Sequence, residues 1–107
     1  MMELNLNCDL GEKSNHYNGH NDEELLKIVN TANIACGYHA GNKGIISKTI
    51  KIAKLNKVSI GAHPGFKDKK NFGRKRLNLS KLEIFKLVIE QLEIISEISK
   101  KMNYPLT

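Results

Sequence analysis

The fold of this 107-residue chain follows from the stretch TANIACGYHAG, residues 31–41. Its first six residues are short, small and mostly apolar, which is typical of an interior strand. A glycine-containing turn comes next, and residues 43–55 then show helical periodicity with one apolar stripe of Ile46, Ile50 and Ala53. A buried strand that leads through a turn into an amphipathic helix is the repeating unit of parallel α/β folds.

Two further strands and two further helices are predicted around this unit. Residues 3–8 alternate apolar and polar side chains and predict the first strand, and the brief apolar run 58–62 predicts the third. Asn21 is predicted to cap a helix before the second strand, and a capping-box pattern, SKLE at residues 80–83, opens the longest helix. The alternating order predicts one α/β domain, residues 1–107, with three parallel strands.

The apolar residues of the longest helix predict which face meets the sheet. Five of them fall on one stripe, which is expected to pack against the strands: Leu82, Phe85, Ile89, Leu92 and Ile95. Three parallel units form an unclosed layer with unpaired strand edges, so the fold is expected to be truncated after its third unit. The alternative is a small, complete three-layer domain.

Composition narrows the class of protein. Lys and Arg number 17 against 11 Asp and Glu, and the net charge of +6 favours anionic partners without selecting one. Cys8 and Cys36 lack metal-ligand spacing and are expected to be reduced thiols. The start lacks the features of a secretory signal, and no apolar run approaches the roughly 20 residues of a membrane span. A cytoplasmic protein without a membrane partner is therefore expected.

A basic run occupies residues 67–76. Such runs are usually solvated loops, and this is the first interpretation. A phosphate clamp that uses Arg74 is the second. Nucleic-acid binding is the least supported, because no recognition motif is present and few aromatic residues interrupt the charge.

Polar side chains follow each predicted strand closely. Asp9, His39 and His63 stand just beyond the predicted strand ends, with Glu12 nearby. Because parallel strands end at one edge of a sheet, these side chains are expected to converge. Asn7 is polar within a strand-like run, and so is Asn33 in the next strand. Each is predicted to bond either a ligand or a neighbouring loop.

Two chemistries fit this convergence. One is general acid–base hydrolysis of an amide or acyl group. The other is hydrolysis assisted by a divalent metal, for which Asp9, His39 and His63 would be the ligands. The competing structural interpretation is that Asp9 bonds backbone amides in its own turn and that His39 anchors a loop.

Five motifs together resemble the LamB/YcsF family, which supplies component A of the prokaryotic ATP-dependent 5-oxoprolinase. They occur in the family's order and cover nearly the whole chain: NCDLGE at 7–12, NDEE at 21–24, ANIACGYHAG at 32–41, IGAHPGF at 60–66 and FGRK at 72–75. The resemblance implies a distorted β/α barrel of the glycoside hydrolase/deacetylase type. It also implies hydrolysis of 5-oxo-L-proline to L-glutamate, ATP with Mg²⁺ as cofactor, and partner subunits B and C.

The resemblance carries over to individual positions. It implies catalytic roles for Asp9, His39 and His63, and it implies that four further residues line the substrate site: Asn7, Glu12, Asn33 and Arg74. A later histidine motif of the family, KPHGALY, has no counterpart before residue 107, so the chain resembles the N-terminal part only. An inactive remnant, or a half-domain that needs another chain, is therefore the alternative function. Homo-oligomerisation stays open.

Overall fold

The computed structural model describes residues 5–13, 19, 21–73 and 78–107. Its strands are β1 (Asn7–Leu10), β2 (Thr31–Ala35) and β3 (Ser59–His63), in one sheet of order β1-β2-β3. Both pairings are parallel, with Asp9 opposite Asn33 and Asn33 opposite Gly61. The predicted parallel arrangement of three strands is confirmed.

The first strand lies later in the chain than predicted. The predicted range was 3–8, but Leu6 precedes β1, and residues 1–4 are outside the described part. Leu6 bonds the turn before β2 instead, because its N–H donates to Asn30 Oδ1 at 2.8 Å and its carbonyl accepts from Asn30 N. Asp9 therefore lies within β1 rather than beyond it. Likewise, His63 is the last residue of β3.

The helices agree with the sequence in two cases of three. The first, α1 (Asp22–Leu25), is a single turn, and the predicted capping bond from the Asn21 side chain is absent, because the Asn21 backbone is itself helical. The second, α2 (Lys43–Leu55), has the predicted bounds, and α3 (Lys81–Lys101) begins with the predicted capping box. None of the helices in the described ranges is long and apolar enough to span a bilayer.

The sheet has one apolar face and one polar face, because successive side chains of a strand point to opposite sides. The apolar face packs against α2 and α3 in a core that includes Leu10, Ala32, Ile34, Ile60, Ile46, Ile50 and Ile95. The opposite face carries Asn7, Asp9, Asn33, Gly61 and His63, all at least partly exposed. The predicted functional side chains of β1, β2 and β3 therefore share the polar face.

The predicted inner stripe of α3 is wrong for most of its length. Leu82, Phe85 and Ile89 are 62%, 63% and 38% exposed. The buried residues of α3 are Gln91, Ile95 and Ser99. Hydrogen bonds between Gln91 and the backbone of Gly65 hold this second stripe inward, so the helix turns its richer apolar stripe outward.

The capping box at the start of α3 makes a pH-dependent contribution to stability. Ser80 N donates to Glu83 Oε1 at 3.1 Å, and this backbone bond is the main cause of a lowered Glu83 pKa. Because the folded pKa lies below the unfolded value, the contribution is present at neutral pH and is lost as the pH falls through the folded pKa.

Glu83→Gln is therefore expected to lower the melting temperature at pH 7 and to match the parent chain near pH 3. The measurement is thermal unfolding followed by circular dichroism at both pH values. Glu97→Gln, at an exposed position near the other end of the helix, should show no such convergence. An equal deficit at both pH values would contradict the assignment.

Candidate functional site

A cavity of about 520 Å³ opens between the carboxyl ends of the strands and α3. Four ionisable side chains of the predicted site reach its wall: Asp9, Glu12, His39 and His63. The apolar part of the wall comes mainly from α3 and from the segment after β3: Ile84, Leu87, Val88, Phe66 and Phe72. The convergence expected from the sequence is thus present in the structure.

His63 lies between two carboxylates. Its Nδ1 is 3.1 Å from Glu12 Oε1 and 3.8 Å from Asp9 Oδ1. Adjacent parallel strands place Asp9 and His63 on the same face, whereas Glu12 arrives through the turn at Gly11, whose φ of +69° is a conformation that glycine adopts readily. The 3.1 Å contact lacks hydrogen-bond geometry, because both atoms are buried without a hydrogen-bond partner among the described residues.

His39 is the most enclosed member of the group, at 3% exposure. Its ring centroid is 4.7 Å from that of His63 and 5.3 Å from that of Phe72, both edge-on. Burial lowers the pKa of His39, and the neighbouring His63 lowers it further. Neither ring nitrogen has a hydrogen-bond partner in the described part of the chain, so His39 does not anchor a loop through such a bond.

The carboxylates have different environments. Burial raises the pKa of Glu12, although His63 opposes this effect. The Asp9 side chain is 53% exposed, against 15% for Glu12. Within the described residues the amide of the 9–12 turn at Gly11 is bonded by Asp22 Oδ2 at 3.0 Å, so the structural role considered for Asp9 belongs to Asp22 there.

The group that fits a metal ion differs from the predicted one. Ligand atoms of Glu12, His39 and His63 lie within 4.8 Å of one another, and Asp9 is not in this set. Two imidazoles and a carboxylate are donors that suit zinc and related divalent ions. The residues present therefore fit a metal, with Glu12 in the place predicted for Asp9.

Gln91 is a site residue that the sequence interpretation missed. Its Oε1 accepts from Gly65 N at 2.8 Å, and its Nε2 donates to Gly65 O at 2.8 Å and to Leu87 O at 3.0 Å. Gly65 in turn lies directly against His39. The available signal was one glutamine in phase with Ile95 and Ser99, a polar residue on what would otherwise be a minor apolar stripe.

Gln91→Leu is expected to destabilise the chain by about 1–3 kcal/mol, because it leaves buried backbone groups of Gly65 without partners. Faster hydrogen exchange of the Gly65 amide should accompany the loss. Denaturant unfolding and amide exchange are the measurements. Glu93→Leu introduces the same side chain at an exposed position of the same helix and should change neither quantity much. Unchanged exchange at Gly65 in Gln91→Leu would refute the clamp.

The remaining predicted residues are outside this cavity wall or outside the described residues. Asn33 Nδ2 donates to Asn7 Oδ1 at 3.2 Å, so each bonds the neighbouring strand, and neither lines the cavity. Arg74 is not among the described residues. The described part of the basic run, 67–73, reaches the cavity through Phe72 and Gly73.

Comparison with known proteins agrees with this arrangement. The model of the LamB/YcsF family matches residues 4–107. The chain belongs to the LamB/YcsF family. The resemblance seen in its motifs is thereby confirmed.

Curated relatives of this LamB/YcsF chain are named as the first of the 5-oxoprolinase subunits, component A. Such a protein of Staphylococcus epidermidis is 46% identical over 99 residues, which are 92% of this chain and 39% of that protein. One of Clostridium kluyveri with the same name is 49% identical over 92 residues, 86% of this chain and 36% of that protein. The chain spans well under half the length of these relatives.

A solved structure shows the same fold over the matched part. The crystal structure of the lactam utilization protein from Thermus thermophilus aligns with a TM-score of 0.91 and 38% identity. The alignment covers 98% of this chain and 42% of that one. The LamB/YcsF chain is therefore a partial α/β fold, with a parallel sheet of three strands and flanking helices.

Proposed function

We propose that this LamB/YcsF chain provides the N-terminal part of the hydrolytic centre of 5-oxoprolinase, component A, which opens 5-oxo-L-proline to L-glutamate with ATP. The observation that carries the proposal is the meeting of Asp9, His39 and His63 at one cavity. An exposed carboxylate beside two imidazoles supports hydrolysis of an amide. The names of the relatives supply the substrate class.

The roles follow from exposure and position. Asp9 is the accessible carboxylate and takes a proton from the attacking water. His39 and His63 lie deeper in the cavity and act on the side of the amide oxygen and the departing nitrogen. The lactam is a stable amide, and ATP, with Mg²⁺, is the co-substrate that activates its oxygen by phosphorylation.

The cavity suits a small anionic substrate. Its volume of about 520 Å³ lies within the range of about 300–1,000 Å³ that is usual for ligand pockets. Lys67, Lys69 and Lys70 belong to the segment that borders the cavity at Phe72 and Gly73. Their positive charge would attract the substrate carboxylate or the phosphates of ATP.

The polar face of the sheet supports a barrel, because in the closed barrel proposed here it would form the inner wall. Thr107 N donates to Ile60 O at 3.0 Å, so the last residue lies along the free edge of β3. We place the active assembly in the cytoplasm, with further β/α units and with subunits B and C. This assembly excludes nucleic acid and membrane as partners.

The test is ATP-dependent glutamate release. The chain is mixed with subunits B and C, 5-oxoproline and MgATP, and glutamate is measured with and without ATP. The expected result is release that requires both ATP and this chain. The complete component A of a relative serves as the positive control, and no release beside an active control would overturn activity of the chain as it stands.

A half-domain that needs another chain is the second candidate. The exposed α3 stripe of Leu82, Phe85 and Ile89 and the free edge of β3 favour it. The remaining C-terminal part of a relative's component A is added to the same mixture. Activity that appears only after this addition would identify the half-domain, and continued inactivity would identify a remnant.

A further inference from the structure

We propose that Glu12, His39 and His63 form a binding site for one divalent cation of the zinc type. The proposal deepens the proposed function, since it concerns the same cavity, but metal binding can be measured without any turnover. Its basis is the geometry of the three side chains, whose ligand atoms lie within 4.8 Å of one another.

The strongest evidence is a set of buried polar atoms without hydrogen bonds. Both ring nitrogens of His39, Nδ1 of His63 and Oε1 of Glu12 are buried without a hydrogen-bond partner among the described residues. Buried polar atoms nearly always have a partner, and those that do not often mark a missing ion or water. His39 satisfies this criterion most fully, because it is only 3% exposed.

The spacing suits a small ion. Ligands about 2.1 Å from a tetrahedral ion are separated from each other by roughly 3.4 Å. The Glu12 and His63 atoms are 3.1 Å apart, and no pair in the set exceeds 4.8 Å, so modest side-chain rotation closes the site. Three protein ligands leave one position open toward the cavity, which is the pattern of catalytic zinc sites.

The surrounding backbone restrains the site before any ion binds. Gly65 and Gly73 both lie against His39, where a Cβ on Gly73 would be 2.7 Å from His39 Cβ. Gln91 holds Gly65 in turn. Ligand orientation by such outer contacts is a common property of metal sites. When bound, the ion would supply Lewis-acid polarisation of an amide oxygen.

Glu12 rather than Asp9 completes the ligand set. Asp9 Oδ1 is 3.8 Å from His63 Nδ1 but does not belong to the group that converges with His39. Its exposed carboxylate remains available for another role. The pair Glu12→Gln and Asp9→Asn therefore separates this site from the predicted set of Asp9 and two histidines.

The experiment titrates the metal-free full chain with Co²⁺, followed by visible absorption and by competition with Zn²⁺. We expect one ion per chain and the intense visible bands of a four-coordinate site. Glu12→Gln should weaken binding by about 100-fold or more, because even loss of an outer contact costs about 10–100-fold. His63→Ala should do the same, and Asp9→Asn should stay within a few-fold of the parent.

The controls separate the possible outcomes. A double variant, His16→Ala and His20→Ala, removes the other two histidines of the sequence and should bind as the parent does. Circular dichroism checks that each variant is folded. Parent-like binding by Glu12→Gln, loss of binding in Asp9→Asn, or no uptake by the parent would overturn the site. ATP-dependent glutamate release without metal uptake would refute this proposal and leave the proposed function standing.

Discussion

Asp9→Asn is expected to lower the kcat of the reconstituted reaction by about 10²–10⁴-fold, the usual contribution of a positioned acid or base. The amide keeps the shape of the carboxylate but cannot take a proton from water. Asp9 is half exposed at the cavity mouth and contacts His63, so the substitution disturbs little packing. The measurement is the rate of glutamate release at saturating 5-oxoproline and ATP, in whichever mixture is active.

Two comparisons make this expectation specific. Glu24→Gln neutralises an exposed carboxylate that pairs only weakly with Lys27 on the surface, and it should leave kcat unchanged. The melting temperature of Asp9→Asn should stay close to that of the parent. A kcat within a few-fold of the parent would remove Asp9 from the chemistry, whatever the variant does to KM.

Gly65→Ala is expected to disrupt the site through one added methyl group. A Cβ at Gly65 would lie 2.6 Å from His39 Cγ and 2.9 Å from His39 Cβ. His39 cannot move away freely, because Gly73 and Phe72 enclose its other sides. Overpacking of this kind costs about 1–3 kcal/mol, so the free energy of unfolding should fall by that amount.

Denaturant unfolding measures the loss, and the imidazole resonances of His39 report the displacement of the ring. Gly61→Ala is the matched control, because its Cβ would lie 3.6 Å from Asn33 Oδ1, an ordinary contact distance. It is expected to cost much less than Gly65→Ala. Equal stability of the two variants, with unshifted His39 resonances, would show that Gly65 does not confine the ring.

Several features of the fold could be predicted because they depend on local patterns. Helix α2 has the predicted bounds, since its apolar period and its end at Asn56 are both local. Ser80 and Glu83 form the predicted capping box within a single turn. The alternation of short apolar runs with helices was enough to predict a parallel sheet.

The errors have a common physical origin. The start of β1 depends on where Thr31 pairs, because Leu6 instead bonds the turn at Asn30. The inward face of α3 depends on Gln91 reaching the backbone of Gly65, a contact 26 residues away in sequence. Periodicity along α3 offered an apolar stripe but contained no information about this long-range bond.

The sequence by itself determined the strand and helix order, the family, and the presence of Asp9, His39 and His63 at the ends of neighbouring strands. Those properties follow from residue type and spacing. Only the tertiary structure decided that Glu12 joins the two imidazoles more closely than Asp9 and that Gln91 and Gly65 support His39. The reason is that these contacts depend on turn geometry and helix rotation, which hydrogen bonding between distant segments sets.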